Sequence, residues 1–300
     1  MAANDKHKTT IATLNRYKKE GRTIVAVSAY DFWQSQLCNQ AGIDVVLVGD
    51  SAAMTQHGHA TTIPITMDEM ISHAQAVSRG NSGAFLIGDL PYGTYSNIND
   101  AVKNSERFIV SGMDAIKLEG NQPEQVRAIS KAGILVMSHL GLTPHTRAKL
   151  GGYRVQGKTK ADADIILDQA KSLQDAGAFA ILLEAVPTET AQYIQDNLEI
   201  MCWGIGGGNN LHGQLIIFHD LVGLFSAFKS KFVKRYCQAG DLITKALSDY
   251  ASEVRSGIFP AKENFYEIKE EELEALLADH KWKFTKNELI RPDLGQSPGC

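Results

Sequence analysis

Val45–Met54 reads VVLVGDSAAM. Four apolar residues, Val45 to Val48, run unbroken and stop at Gly49, Asp50 and Ser51. Such a run, closed by a glycine and an acid, is how a strand buried on both faces ends when its C-terminal end opens on a polar site. The pattern recurs. AFLIGDLPYG puts Asp89 after Ala84–Ile87, DAIKLEG puts Lys117 and Glu119 in and after an apolar run, ILVMSHLG delivers His139, and AFAILLEAVP delivers Glu184.

Helical patterns alternate with these runs. Thr23–Asp31 reads as the first strand, followed by a helix from Phe32 closed at Gly42. After Asp50 the chain lapses into a polar, threonine-rich loop, Ala52–Met67, and long loops at strand ends carry function more often than structure. Thr66 and Glu69 then form a T-x-x-E capping box for a helix through about Ser78. Further helices are expected over Ile98–Ser111, Pro123–Gly133, Ala161–Gly177 and Thr188–Leu198. In the third of these, Ile165, Leu167, Ala170 and Leu173 are expected to face inward. IMCWGIGGG and QLIIF supply strands seven and eight. Eight strands joined mostly by helices predict an α/β fold, a (β/α)₈ TIM barrel. Ile11, Leu14 and Tyr17 predict a short amphipathic helix covering one end of it. Residues 1–266 are expected to form this single barrel domain. Lys231–Arg255 is expected to be helical, and residues 267–300 to form a C-terminal helical extension and flexible tail, with a helix at Glu267–His280 and a loosely attached RPDLGQSPGC end.

A formal charge of −4 with no basic stripe argues against nucleic acid. Cys38, Cys202, Cys237 and Cys300 are far apart and form no CxxC pair, so neither a zinc site nor a disulfide framework is indicated. No segment approaches the ~20 apolar residues of a membrane span, and the N-terminus lacks a signal-peptide core. A cytoplasmic protein is expected, although the short basic start leaves a mitochondrial location open.

In a parallel barrel the strand ends converge at the C-terminal mouth, so Asp50, Asp89, Lys117, Glu119, His139 and Glu184 should meet. Asp50, Asp89 and Glu119 offer hard oxygen ligands with no cysteine nearby, which suits Mg²⁺. A 2-oxo acid could chelate such an ion, and Lys117 could balance its carboxylate or pair with Glu119 or Asp89. Glu184 lies among Leu182, Leu183, Ala185, Val186 and Pro187. Desolvation there is expected to raise its pKa from ~4.3, as a general base removing a proton α to a carbonyl needs. His139 could serve as a donor, orient a neighbour, or be an ordinary core histidine. His57 and His59 in QHGH have metal-like spacing, but a loop-surface role is the simpler reading. GIGGGNNLHG invites a dinucleotide reading, yet a strand rather than a helix follows it, so a loop over the mouth fits better.

Taken together, VGDSAAM, GHATTIPIT, DLPYGTY, KLEG, SHLGLTPH, GGYRVQGKT, LLEAVP, GIGGG, HGQLIIFHDLVGLF and KFVKRY resemble, in order, the ketopantoate hydroxymethyltransferase family from about Thr9 to Phe265. The resemblance implies a barrel of the phosphoenolpyruvate/pyruvate superfamily. It implies transfer of a hydroxymethyl group from 5,10-methylenetetrahydrofolate to 3-methyl-2-oxobutanoate, a step toward pantothenate, in a homo-oligomer. It also implies Mg²⁺ at Asp50 and Asp89 with Glu119 in the same shell, Ser51, Lys117 and Asp89 at the substrate, His139 at the site, and Glu184 as base. The chain departs from the family pattern at Ala53, where a glycine is usual, and at Ala60 and His212, where aspartates are usual. Those departures leave open a paralogue using the same Mg²⁺-enolate chemistry on another 2-oxo or dicarbonyl compound, and the persistence of barrels as scaffolds leaves open a non-catalytic barrel scaffold.

Overall fold

The protein is described from a computed structural model over residues 8–225, 227 and 230–279. Parallel strands cannot be joined by tight turns, and here helices supply most of the crossovers. The chain begins with α1 (Ile11–Glu20), β1 (Ile24–Ser28), α2 (Phe32–Ala41), β2 (Val45–Val48), a single turn α3 (Ala52–Thr55), and α4 (Met67–Gly80). It continues through β3 (Phe85–Asp89), α5 (Ile98–Val110), β4 (Ala115–Glu119), α6 (Pro123–Lys131) and β5 (Leu135–Gly141). Then come α7 (Lys160–Asp175), β6 (Ala180–Glu184), α8 (Thr188–Asp196), β7 (Met201–Ile205), β8 (Gly213–Ile217) and α9 (Phe218–Val222). All eight strands are parallel to their neighbours, and β8 pairs with β1 to close the expected barrel.

Strand side chains alternate between the two faces of the sheet, so each buried strand feeds two cores. Val45 and Leu47 of β2 pack inside the barrel with Ile24, Phe85, Ala115, Met137 and Trp203. Val46 and Val48 face outward into a larger core shared with the helices. Leu14 of α1 is fully buried in the inner cluster, with Ile11 and Tyr17 packed against it, so the first helix does plug one end. Thr10 caps that helix, and the Thr66–Glu69 capping box opens α4 as its spacing predicts.

Several local expectations change. Ile165 is exposed while its neighbour Ile166 is buried. With α7 starting at Lys160 behind the Thr159 cap, its inner stripe is Ala163, Ile166, Leu167, Ala170 and Leu173. The 52–67 loop contains a helical turn that buries Ala52 and Ala53 completely. Ala53 takes ordinary helical backbone there, so its position needs no glycine. Residues 231–238 are not helical: the Tyr236 amide donates to Leu221 O, and Arg235 donates to Phe225 O. The chain divides into two compact units, 1–237 and 238–300, ahead of the boundary at 266 drawn from the sequence. The second unit holds α10 (Ala239–Ser256) and α11 (Glu270–Ala278); His280 and the last ten residues lie outside the described part. Cys38 and Cys202 are buried and Cys237 exposed, all three free, and Cys300 lies outside the described part. Among the described residues no helix is long and apolar enough to cross a membrane.

His212 sits at the start of β8, the barrel end opposite the mouth. The Cys202 amide donates to its Nδ1 at 3.1 Å, and its carbonyl accepts from Ile24 N. An imidazole that accepts from an amide must be unprotonated at that nitrogen. Burial and the Lys18 ammonium accordingly push its pKa down to about 4. This departure from the family pattern is therefore a backbone tie, far along the strand from the strand-end acids. With an ordinary value of ~6.5 in the unfolded chain, the ring contributes stability that is complete above that pH and lost as the pH falls toward 4. Thermal melts from pH 7 to 4 should show a falling Tm, and His212→Asn, which keeps an acceptor, should flatten the decline.

Candidate active site

Alternation decides which side chains reach the mouth. Ala115 points into the barrel, so Lys117 and Glu119, two and four residues on, do so too. By the same step Asp89 follows Phe85 and Ile87, His139 follows Met137, and Glu184 follows Ala180 and Leu182. Register makes them one layer: Asp89 lies opposite Lys117, Glu119 opposite His139, and Gly141 opposite Glu184. Asp50 enters from the turn after β2, where its amide donates to Asp89 Oδ2 at 3.0 Å.

Lys117 Nζ lies 2.7 Å from Asp89 Oδ1, a side-on ion pair, and 3.9 Å from Glu119 Oε1. His139 stands between two carboxylates, with Nδ1 3.4 Å from Glu119 Oε1 and Nε2 3.2 Å from Glu184 Oε2. Neither approach is aligned as a hydrogen bond, so both ring nitrogens are buried without an in-line partner. Asp50, Asp89, Lys117, Glu119 and His139 are all buried, whereas the Glu184 side chain keeps 17% of its exposure. Glu184 is thus not sealed in the apolar surroundings its sequence neighbours suggest; it faces His139 at the open side of the layer. Ser51 is held by the Tyr30 hydroxyl, 2.8 Å from its Oγ.

Sequence reading missed His145, which the loop after β5 folds back over the layer. Its Nε2 is 2.6 Å from Asp50 Oδ2, its Nδ1 is 2.8 Å from the Tyr95 hydroxyl, and its amide donates to Glu119 Oε2 at 3.0 Å. The available signal was its place in LTPH, four residues past the end of β5.

The charges do not balance. Burial, together with Asp50 and Glu119, pushes Asp89 up to about 7 despite the adjacent lysine. Burial opposes charge on His139, but the flanking Glu119 and Glu184 outweigh it and raise the ring to about 9. Burial likewise opposes charge on His145, and Asp50 and Glu119 raise it nonetheless. Lys117 is held above its ordinary value by Asp89 and Glu119 against the cost of burial. Burial penalises the Glu119 carboxylate, but His139, His145 and Lys117 hold it down at about 2. Four carboxylates thus draw protons onto histidines, which is the behaviour of a cluster short of positive charge.

One oxygen each from Asp50 and Glu119 and one nitrogen of His145 lie within 4.8 Å of one another, close enough to hold a metal ion. Asp89 is not in that group: one of its oxygens accepts from Asp50 N and the other faces Lys117. Two hard oxygens and an imidazole suit a divalent cation, which would replace the proton now shared by His145 and Asp50.

The backbone around Glu184 is tightly set. Ala185 has φ +48°, a region an alanine rarely occupies. Gly141 has φ +88°, and a Cβ there would lie 2.4 Å from Glu184 O. Gly141→Ala should therefore lower stability by more than about 1 kcal/mol in urea titrations and shift Glu184 off His139. A divalent cation that fills this group should raise the Tm, by the equivalent of about 2.7 kcal/mol at a hundred times its Kd. Asp50→Ala should abolish that shift.

Comparisons with known proteins give the family and the fold. The sequence profile described as ketopantoate hydroxymethyltransferase matches residues 8–262. Among similar proteins, 3-methyl-2-oxobutanoate hydroxymethyltransferase of Thermus thermophilus is 43% identical over 82% of this chain and 96% of its own length. That of Moorella thermoacetica is 45% identical over 86% of this chain and 97% of its own. That of Nitrosopumilus maritimus is 44% identical over 86% and 94%. Similar solved structures include phosphonopyruvate hydrolase complexed with oxalate and Mg²⁺, with TM-score 0.57 at 14% identity over 91% of this chain and all of that one. Another is 2,3-dimethylmalate lyase, of the PEP mutase/isocitrate lyase superfamily, with TM-score 0.55 at 17% identity over 89% and 94%. These distant neighbours share the barrel fold of that superfamily. With its profile, its relatives and its barrel in accord, the chain belongs to the ketopantoate hydroxymethyltransferase family of transferase enzymes.

Proposed function

We propose that this enzyme transfers a hydroxymethyl group from 5,10-methylenetetrahydrofolate to 3-methyl-2-oxobutanoate, giving 2-dehydropantoate for pantothenate synthesis. The observation that carries the reading is the layer at the mouth, where three buried carboxylates and the partly exposed Glu184 outnumber the cations that face them. Mg²⁺ suits that surplus, with Asp50 and Glu119 as carboxylate donors and His145 as a nitrogen donor, and Asp89 would join them only with the oxygen that Lys117 releases. When bound, the ion supplies Lewis acidity toward the oxo acid's carbonyl.

The chain's own groups do the rest. The Lys117 ammonium binds the substrate carboxylate and gives up part of its pairing with Asp89. Ser51, oriented by Tyr30, offers its hydroxyl to the oxo acid. Glu184, at the open side of the layer, accepts the proton from the carbon next to the carbonyl. His139, charged and 3.2 Å from Glu184, orients that carboxylate and offsets Glu119 behind it. The carbon freed of its proton bonds to the donor's one-carbon unit, water supplies the hydroxyl oxygen, and tetrahydrofolate leaves.

The same reading extends to a cytoplasmic homo-oligomer. Its support is α10, which buries no residue in the single chain and exposes Leu242, Ile243, Leu247 and Tyr250. Exposed Ala60, where the family pattern has an acid, favours the paralogue as the second reading, so substrate choice is the point to test.

Purified protein with both substrates and Mg²⁺ should form 2-dehydropantoate, and Glu184→Gln should lower kcat by about 10²–10⁴-fold. In D₂O the wild type should exchange deuterium into 3-methyl-2-oxobutanoate without the folate. Exchange into a different 2-oxo acid instead would identify the paralogue.

A further inference from the structure

A second cluster of chemistry-bearing side chains lies away from the acids, where the loop after α3 meets α4. His57 Nε2 and His73 Nε2 face each other at 2.9 Å. The other nitrogen of each ring is already engaged. His73 Nδ1 donates to the Tyr30 carbonyl at 2.8 Å, and a carbonyl can only accept, so the neutral His73 ring presents a bare lone pair at Nε2. His57 Nδ1 faces Glu69 Oε1 at 3.5 Å without the alignment of a hydrogen bond; a proton on that nitrogen bares Nε2 as well, whereas a proton on Nε2 is donated to His73. Glu69 cannot swing away, because its second oxygen accepts from both the amide and the hydroxyl of Thr66 in the capping box.

When His57 carries its proton on Nδ1, beside the Glu69 carboxylate, two lone pairs face each other across 2.9 Å and a cation between them removes the repulsion. Burial holds His73 below its ordinary pKa, so that ring is a poor source of the bridging proton at neutral pH. Metal-ligating histidines commonly have one ring nitrogen tied to a carboxylate or a backbone carbonyl while the other is aimed at the ion. His73 has that arrangement through the Tyr30 carbonyl, and the Glu69 carboxylate stands beside the outer nitrogen of His57. A tetrahedral Zn²⁺ with Zn–N bonds of ~2.0–2.1 Å would separate the nitrogens by about 3.3 Å, so the rings need part by only about half an ångström. The His57 side chain retains 26% exposure, which leaves a path from solvent.

We propose that His57 and His73 form a transition-metal site, of the Zn²⁺, Ni²⁺ or Cu²⁺ class, distinct from the acid cluster and completed by water. The ion pins the 55–66 loop to α4 and, through the Tyr30 carbonyl, to the end of β1. Tyr30 in turn bonds Ser51, so occupancy of this site stiffens one wall of the mouth.

The test uses full-length protein stripped of metal and then saturated with Mg²⁺. Titration with Zn²⁺ should show a site whose affinity falls more than about tenfold in His57→Gln and in His73→Gln, the penalty typical of disrupting such a shell. Circular dichroism, together with the retained Mg²⁺-dependent rise in Tm of His57→Gln, checks that the variants are folded. With one equivalent of Cu²⁺, the paramagnetic resonance spectrum of the wild type should show coupling to two imidazole nitrogens, reduced in each variant. Zn²⁺ affinity within twofold of wild type in both variants, or a wild-type Cu²⁺ spectrum with fewer than two nitrogens, would overturn the proposal and leave a shared proton between the rings.

Discussion

The ion pair between Lys117 and Asp89, 2.7 Å long and buried at the barrel mouth, is the contact around which the site is arranged. A lysine so enclosed is tolerable only beside carboxylates, and a lone carboxylate there would be equally costly. Each charge therefore requires the next. Asp89 also accepts from the Asp50 amide, which sets the turn after β2 and aims Asp50 at His145. Glu119, reached by Lys117 and the His145 amide, completes the ring.

That ring is over-supplied with negative charge, and the histidines respond by binding protons. His139 and His145 are the residues whose protonation compensates the carboxylates. A cluster built this way is prepared for a cation, because an arriving dication displaces protons rather than requiring the protein to reorganise. The strained backbone at Ala185 and the close approach of Gly141 to Glu184 show the same economy at the sixth strand, where the chain is held in one conformation so that a single carboxylate reaches the open side.

The departures from the family pattern divide along physical lines. Ala53 lies in a helical turn with ordinary backbone, and its methyl group fills the outer core. His212 lies at the other end of the barrel and serves as a neutral acceptor for Cys202 N. Ala60 is exposed in the loop that also carries His57 and His59.

The barrel was legible in the chain because fully buried parallel strands read as unbroken apolar runs, and because five of those runs ended in or beside an ionisable residue. Asp50, Asp89, Lys117, Glu119, His139 and Glu184 could all be picked out on that ground, and the structure gathers them. Other features depend on through-space geometry that no local pattern encodes. His145 acts from a loop after its strand, where neither periodicity nor strand position marks it. Asp89 is drawn to Lys117 rather than into the Asp50–Glu119–His145 group by which oxygen faces which neighbour. His57 and His73, sixteen residues apart, meet because a loop folds back on a helix. By itself the sequence determined the strands, their order and the acids they deliver, since those follow from burial and period. Tertiary structure alone decided pairing, protonation and which nitrogen faces which, because these depend on distances of a few ångströms between segments far apart in the chain.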